Sequence, residues 1–302
     1  MYRRLFLAIL PIMGVALAQS PPPPNPLPNR PKVPGTLNLR TRRRIEQPPG
    51  SGGKFVVSEG TLRWEAAQTA IVIIDMWDTH TCANAAQRVG AMAPGMNQVV
   101  DAARRLGVMI IHAPSDTMKF YEGWPQRLRM QQAPKAPSPF PVRATEPDRE
   151  EQTRMPQAAC DDPVGVTWTG PAPPTTRGNY PWEREHPAIQ IAGYDGISDS
   201  GQEIYNFLKQ EGITNVALMG VHTNICILNR AFGVRSLNRL GFHVVVARDL
   251  TDGMYDPRKP PFVSHARGTE LIVEHIEADW CPSILGEDLT RIIPGTDGPS
   301  QD

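Results

Sequence analysis

The stretch NVALMGVHTNIC, residues 215–226, decides how this chain folds. Its apolar run at 216–219 is bounded by a glycine, a pattern typical of a strand buried on both faces of a sheet. Thr223 or Asn224 can cap a helix that follows directly, which puts Cys226 in its first turn. Unpaired N–H groups and the helix dipole favour a thiolate there, so we expect a lowered pKa for Cys226 and a nucleophilic role. A small buried thiol at a strand-to-helix junction is the alternative interpretation.

A second strand candidate, residues 70–74, is followed directly by Asp75 in the stretch AIVIIDMWD. In α/β proteins, reacting groups lie at the carboxyl ends of parallel strands, so we expect Asp75 and Cys226 at one edge of the sheet. A partly buried aspartate beside a thiol can accept the thiol proton and later give a proton to the leaving group. Capping of the next loop is the alternative role for Asp75.

The rest of the chain reads as alternating strands and helices, which predicts a three-layer α/β fold with a mostly parallel sheet and right-handed crossovers. The further predicted strands are 108–112, 243–247 and 271–276, and the predicted helices are 95–106 and 200–210. After Cys226, apolar residues recur at helical spacing and predict one continuous helix through Ile227, Leu228, Ala231, Phe232, Val234, Leu237 and Leu240.

The pair IIDMW and GVHTNIC, in this order and on these elements, resembles the isochorismatase-like cysteine hydrolases over residues 70–276. Members of that family have a six-stranded, mostly parallel sheet and hydrolyse amide C–N bonds with an Asp, Lys and Cys triad, whereas the isochorismatases cleave an ether. The resemblance implies that Asp75 and Cys226 are catalytic. It also implies a cis peptide between Val221 and His222, and an oxyanion hole formed by the amides of His222 and Cys226.

The family lysine is missing from this chain. Ile191 or Ala192 stands where the lysine is expected, in HPAIQIAGYDGISDSGQE, and no lysine occurs between residues 135 and 209. Three residues remain open as replacements: Glu185, His186 and Lys119. The chain is therefore either an exported cysteine hydrolase with a rewired base or a protein that keeps the fold for binding and has lost catalysis. A thiol enzyme that does not hydrolyse amides and a surface interaction module are further alternatives.

A long segment at 119–183 interrupts the pattern and is rich in proline and aromatic residues. We expect either a lid over the site, whose rings wall a pocket for an apolar or aromatic substrate, or an insertion that packs on the domain. The residues predicted to line the substrate pocket are Trp77, His112, Asp116, Trp124, Glu185, His186 and Asn224.

The stretch WDTHTC offers a metal-binding alternative, because Asp78, His80 and Cys82 would face one way in an extended segment. Some amidases of the family hold zinc or iron near the catalytic aspartate, but we favour a role in loop stability or substrate binding and predict no cofactor. Of the four cysteines, Cys226 must stay free for catalysis, which leaves at most one intrachain bridge. Our first choice is Cys82 with Cys160.

The amino terminus predicts export to the periplasm or the extracellular space. Arg3 and Arg4 precede an apolar run at 5–17, and Ala16 and Ala18 form an A-x-A cleavage signature, so residues 1–18 read as a signal peptide for the Sec or Tat route. The apolar run is too short to span a membrane.

The chain is further predicted to contain a proline-rich linker at 19–54, a hydrolase domain at 55–292 and a flexible tail at 293–302. The arginine run at 40–44 would be a solvated part of the linker. Lysine plus arginine and aspartate plus glutamate both number 31, which gives no electrostatic argument for nucleic acid. The expected partners are a small-molecule substrate and a second copy of the chain in a homo-oligomer.

Overall fold

The computed structural model describes residues 30–50, 54–146, 149–163 and 180–293. The predicted signal peptide lies outside the described residues, as do parts of the predicted linker, insertion and tail. The strands are β1 (Thr36–Glu46), β2 (Phe55–Glu65), β3 (Thr69–Ile74), β4 (Met109–Ala113), β5 (Gly196–Ile197), β6 (Asn215–Val221), β7 (His243–Asp252), β8 (Ser283–Ile284) and β9 (Ile292–Ile293). The α-helices are α1 (Ala83–Arg105), α2 (Pro125–Gln132), α3 (Arg149–Arg154), α4 (Gly201–Gln210), α5 (Val234–Arg239) and α6 (His265–Asp279).

These strands form one mixed sheet in the order β2-β1-β8-β7-β6-β3-β4-β5, with β9 paired to β1. The six strands from β8 to β5 are parallel to one another, whereas β1 pairs with β8 in the antiparallel direction. The predicted α/β class is therefore confirmed, and the six-stranded prediction matches this parallel part. The sheet of the described chain has nine strands because β1 and β2 extend it as an antiparallel hairpin and β9 adds a short edge piece.

Helices cover both faces of the sheet, as the prediction of three layers requires. Strands β3, β4 and β6 are buried along their whole length, which fits their continuous apolar sequences. On one face they pack against apolar residues of α1, and on the other against those of α4 and α5. Ser200 caps α4 by accepting a hydrogen bond from the Glu203 N–H, as the sequence pattern predicts.

The predicted strand at 271–276 is wrong, because these residues lie inside α6. Their β-branched side chains favour a strand, but Ser264 caps the helix by accepting from the Arg267 N–H. Ile272, Val273 and Ile276 then fall on the buried face at helical spacing.

Two predicted helices have different bounds. Helix α1 begins at Ala83, twelve residues earlier than predicted, and passes through Pro94. The continuous helix after Cys226 is replaced by a π-helical turn, Thr223–Ile227, and the separate α5. Gly233 separates them because its backbone lies against the carbonyls of Cys226 and Ile227, where a Cβ would come within 2.6 Å of the Ile227 oxygen.

The arginine run at 40–44, predicted to be solvated linker, forms part of β1 instead. All eleven residues of β1 pair in register with β2. Alternate arginines point to one face of the strand, where Arg40 pairs with Asp288, Arg42 with Glu277 and Arg44 with Glu274. These ion pairs explain why a basic stretch between prolines is ordered. Within the described residues, the helices are too short or too polar to cross a membrane.

Candidate active site at the carboxyl edge of the sheet

Close contact between the ends of β3 and β6 creates the candidate site. Gly220 adopts a positive φ of 111°, and a Cβ at this position would lie 2.0 Å from the carbonyl oxygen of Ile74. Only glycine fits this approach. The next residue along β3 is Asp75, which has a φ of 51°, and the peptide between Val221 and His222 is cis, as the family resemblance implies. The glycine therefore lets Asp75 meet the turn that holds Cys226.

Asp75 is fully buried and its carboxylate is held from several sides. Oδ1 accepts the Ser115 N–H at 2.7 Å. Oδ2 accepts from Arg230 Nε at 3.1 Å and from Arg230 Nη2 at 3.0 Å. The Cys226 thiol lies close enough for the charge of this carboxylate to raise its pKa. The structure thus brings together the two residues that the sequence predicts at this edge.

The expected lowering of the Cys226 pKa is wrong. Burial raises the pKa of Cys226, and the negative charge of Asp75 raises it further, while Arg230 and a hydrogen bond from the His222 N–H only partly offset these effects. The sequence argument relied on the first turn of a long helix, but Cys226 lies in one π-helical turn and its sulfur faces a buried carboxylate. At rest, the group is a thiol beside its candidate base.

Arg230 is the residue at this site that the sequence reasoning missed. It follows Cys226 by four positions, and its N–H donates to the Cys226 carbonyl at 3.1 Å. Burial would lower the pKa of Arg230, but the charges of Asp75, Cys226 and Asp116 outweigh it and raise this pKa. The spacing was a usable signal, because residues four apart on a helical turn share a face.

The residues predicted to replace the lysine lie elsewhere. Lys119 is exposed. Glu185 is buried against His112, and His186 accepts a hydrogen bond from the Ala188 N–H. Ile191 and Ala192, at the expected lysine position, line a surface cavity of about 330 Å³ together with Trp124, and Cys226 is not part of its lining. Trp124 therefore lines this surface cavity, and its contribution to a pocket at the thiol stays a prediction.

His112 and Glu185, both predicted pocket residues, belong to a buried ion cluster. His112 Nδ1 lies 2.7 Å from Glu185 Oε2, and its Nε2 lies 3.1 Å from Asp195 Oδ2. Arg104 donates to Asp195 from the helix side. Burial opposes a charge on His112, but the two carboxylates outweigh it and raise its pKa to about 9. Both His112 nitrogens are paired within this cluster, whereas Glu185 Oε1 has no hydrogen-bond partner among the described residues.

Aromatic rings belong to the same core cluster as the thiol. Trp77 stacks on Trp182 with ring centroids 4.2 Å apart, and both belong to the same buried cluster as Cys226. Tyr180 stacks on the outer side of Trp182 at 4.3 Å. Trp77 and the end of the predicted insertion therefore share one core cluster with Cys226, and the place of Trp77 in a substrate pocket stays a prediction.

Two histidines beside the site are neutral near pH 7. His80 contacts the Trp182 ring and, at its edge, the ring of His222. Burial lowers the pKa of His80 to about 4 and that of His222 to about 3. Neither histidine can therefore supply the positive charge of the missing lysine.

The two remaining predicted pocket residues differ in position. Asn224 is buried and joins three segments, since its Nδ2 donates to the Pro156 and Met254 carbonyls and its Oδ1 accepts from the Met254 N–H. Asp116 is exposed, and its charge acts on Arg230 from the loop after β4. Asn224 holds the loops together, whereas Asp116 faces the mouth of the site.

The candidate metal set of Asp78, His80 and Cys82 does not fit a metal ion. Cys82 forms a disulfide with Cys160, which confirms our first choice of pairing and removes the thiolate. Asp78 Oδ1 accepts the Glu183 N–H, and His80 Nδ1 accepts the Cys82 N–H. Among the described residues, the one group with suitably close ligand atoms is Cys82, Cys160 and Asp161, and two of these are the disulfide.

A model of the Isochorismatase domain matches residues 69–259, which is well over half of the chain. Among solved structures, the chain is similar to a cysteine hydrolase from Pseudomonas syringae pv. phaseolicola 1448A, with 15% identity, a TM-score of 0.45, and coverage of 76% of this chain and 95% of that one. An isochorismatase family protein from Burkholderia thailandensis is 15% identical, with a TM-score of 0.42, and the match covers 74% of this chain and 93% of that one. An isochorismatase-like hydrolase from Alkaliphilus metalliredigens is 13% identical, with a TM-score of 0.41, and the match covers 75% of this chain and 98% of that one. A search of curated proteins found no match. On the domain match, the chain belongs to the isochorismatase family of hydrolases.

Proposed function

We propose that this protein is an exported cysteine hydrolase that cleaves an amide-type C–N bond of a small molecule through a thioester on Cys226. The observation that carries the proposal is the proximity of the buried Cys226 thiol to the fully buried Asp75 carboxylate at the carboxyl edge of the sheet, close enough for the carboxylate charge to raise the pKa of the thiol. A nucleophile within hydrogen-bond reach of its base is the minimal arrangement for covalent catalysis.

In the first half of the reaction, the Cys226 sulfur attacks the substrate carbonyl carbon while its proton passes to Asp75. The negative charge that develops on the carbonyl oxygen would be held by the amides of His222 and Cys226. The His222 N–H lies near enough to the Cys226 sulfur to lower the thiol pKa, so a carbon bonded to that sulfur would have a donor nearby. The C–N bond then breaks, and the amine leaves with the proton from Asp75.

In the second half, water attacks the thioester and gives a proton to Asp75. The C–S bond breaks, the carboxylic acid leaves, and the proton on Asp75 returns to the sulfur. The raised pKa of Cys226 suits this cycle, because the thiol keeps its proton until the carbonyl is attacked and Asp75 shuttles one proton in each half.

Buried polar atoms without partners, on residues of the segments that build the site, support an amide as substrate. The side-chain atoms Ser115 Oγ, Trp182 Nε1 and His222 Nε2 are buried without a hydrogen-bond partner among the described residues. Buried polar groups are normally paired, so a ligand that brings both donors and acceptors would satisfy them. The stacked rings of Trp77 and Trp182 favour a substrate with an apolar or aromatic portion.

The test is to incubate the full-length protein with a panel of small primary amides and to measure released ammonia. Hydroxylamine added to the reaction should capture the thioester as a hydroxamate, and intact mass spectrometry should detect acyl-enzyme. Cys226→Ala should abolish both signals, whereas Cys281→Ala, a change at the other buried free cysteine, should leave them unchanged.

A small-molecule-binding protein without catalysis is the second candidate. The missing lysine and the raised pKa of Cys226 favour it. Binding of amides without ammonia, hydroxamate or acyl-enzyme, and equally in the Cys226→Ala variant, would select this function over the hydrolase.

A further inference from the structure

We propose that Arg230 is the positioning residue that replaces the missing family lysine, acting through Asp75 from the same chain segment that carries the nucleophile. The inference rests on the proposed catalytic role of Asp75 and Cys226. It also predicts that the reactivity of Cys226 does not decline at alkaline pH, as it would if the cation were a lysine.

The contact geometry carries the inference. Both Nε and Nη2 of Arg230 donate to Oδ2 of Asp75, at 3.1 and 3.0 Å. Asp75 is fully buried, and among the described residues Arg230 is the cation that forms an ion pair with it. A buried carboxylate needs such a charge to remain ionised, and it can accept the thiol proton only in that form.

The position of Arg230 in the sequence explains how the site can lose its lysine. The family places the lysine on a separate strand, and in this chain the corresponding residues Ile191 and Ala192 line a surface cavity. The cation instead comes four residues after Cys226, in the stretch CILNR. The backbone bond from the Arg230 N–H to the Cys226 carbonyl links nucleophile and cation directly, so their spacing does not depend on the insertion.

The guanidinium gives the site a charge that does not titrate. Arginine stays protonated throughout the range in which proteins are stable, whereas a buried lysine loses its proton more easily than a free one. The groups that face Arg230 are Asp75 after β3, Cys226 on its own turn and Asp116 after β4, and all three favour its charged form. We therefore expect Arg230 to keep its charge, and with it its effect on Asp75, as the pH rises above neutral.

The experiment measures the rate at which iodoacetamide alkylates Cys226, by peptide mass spectrometry, from about pH 6 to 11. The proteins are the wild type, Arg230→Gln, Arg230→Lys, Asp75→Asn and the double variant Asp75→Asn with Arg230→Gln. Arg239→Gln is the matched control, because this exposed arginine of the following helix contacts Phe140 and does not pair with Asp75. Circular dichroism checks that each variant is folded.

Arg230→Gln should slow alkylation at neutral pH about tenfold or more, since the carboxylate that accepts the thiol proton loses its counterion and both hydrogen bonds from Arg230. Arg230→Lys should restore most of the rate near pH 7. The alkylation rate of Arg230→Lys should then fall progressively as the lysine loses its proton, at or below the reference lysine pKa of ~10.4, whereas the wild-type rate does not decline. In the Asp75→Asn background, Arg230→Gln should have little further effect, because the arginine acts through the carboxylate.

Two results would overturn the inference. One is a folded Arg230→Gln variant that labels at the wild-type rate with an unchanged pH profile. The other is an equal loss in the presence and absence of the Asp75 carboxylate, which would mean that Arg230 acts independently of it. Alkylation needs no substrate, so this test is separate from the test of hydrolysis. A protein that hydrolyses no amide but shows the predicted differences in alkylation rate among these variants would contradict the proposed function and still support the role of Arg230.

Discussion

Two buried carboxylate clusters lie beside neighbouring strands of one sheet, and only one of them contains a nucleophilic side chain. In the site cluster, Asp75 is bound by Arg230 and lies close to the thiol of Cys226. In the second cluster, His112 is enclosed by Glu185 and Asp195 and is completely buried. Both clusters combine acidic groups with a cation, so charge and burial alone do not identify an active site.

The difference lies in what each cluster can exchange with its surroundings. The site cluster contains a nucleophile with one proton to give, and the side chain of Arg230 is 34% exposed. The second cluster contains only groups that hold one another, and it joins β4 to the chain segments around Glu185 and Asp195. We interpret the first as the reaction centre and the second as the support that fixes the segment carrying Trp182 beside it.

The largest effect should come from removing the base of the site cluster. Asp75→Asn should reduce hydrolysis by about 10²- to 10⁴-fold, the usual contribution of a general acid–base group, while the fold survives because the amide is isosteric. Steady-state rates on the amide found in the panel, together with circular dichroism, check this. Glu183→Gln is the control, since the backbone N–H of Glu183 makes its contact with Asp78 and that contact remains. Wild-type rates in Asp75→Asn would contradict the assignment.

The second cluster should respond to mutation in stability and not in chemistry. His112→Gln removes the enclosed cation and leaves two buried carboxylates without it, which should cost about 3–5 kcal/mol of unfolding free energy. Urea unfolding measures the loss, and the hydrolysis rate per folded molecule should stay within a few fold. His243→Gln, at an exposed position at the start of β7, should change the free energy by less than about 0.5 kcal/mol. A His112→Gln variant that is stable but inactive would contradict this assignment, because the second cluster would then be the reaction centre and not the structural support.

The pH dependence of stability should come from His112 in a defined window. Its pKa is raised from 6.5 to about 9 in the folded protein, so the folded state binds this proton more tightly than the unfolded state. The stabilisation is fully present below about pH 6.5 and is lost as the pH rises through about 9, on the order of 3 kcal/mol. The difference in unfolding free energy between wild type and His112→Gln should therefore shrink across this range. A difference that is constant with pH would mean that His112 is neutral in the folded state.

The sequence predicts the parts of this molecule that depend on local pattern. Asp75 and Cys226 each follow a continuous apolar strand, and parallel strands bring their carboxyl ends to one edge whatever the loops do. The prediction failed where tertiary contacts decide. The run at 271–276 has strand-forming side chains, but the Ser264 cap and the buried face make it helical. The arginines at 40–44 read as solvated because their partners, Glu274, Glu277 and Asp288, lie more than two hundred residues away.

The same reason explains Arg230 and His112. The family resemblance places the cation, a lysine, on another strand, whereas this chain carries an arginine four residues after the nucleophile. His112 ends a buried strand next to the site, which makes it a reasonable pocket residue from sequence. Its partners Glu185 and Asp195 come from a distant segment, and no local pattern indicates that they enclose it.

The smallest predicted effect tests whether exposure explains the difference between cations of the second cluster. Arg104 pairs with the same Asp195 as His112, but its side chain is 17% exposed, so water can replace part of the interaction. Arg104→Gln should therefore cost only about 1 kcal/mol, well below His112→Gln, because pairs near solvent contribute little. The neighbouring Arg105, 66% exposed and paired with Asp101, is the matched control, and its change to glutamine should be close to neutral. Urea unfolding of the three variants gives the order directly. A loss for Arg104→Gln as large as that for His112→Gln would show that the arginine, and not the buried histidine, keeps Asp195 ionised.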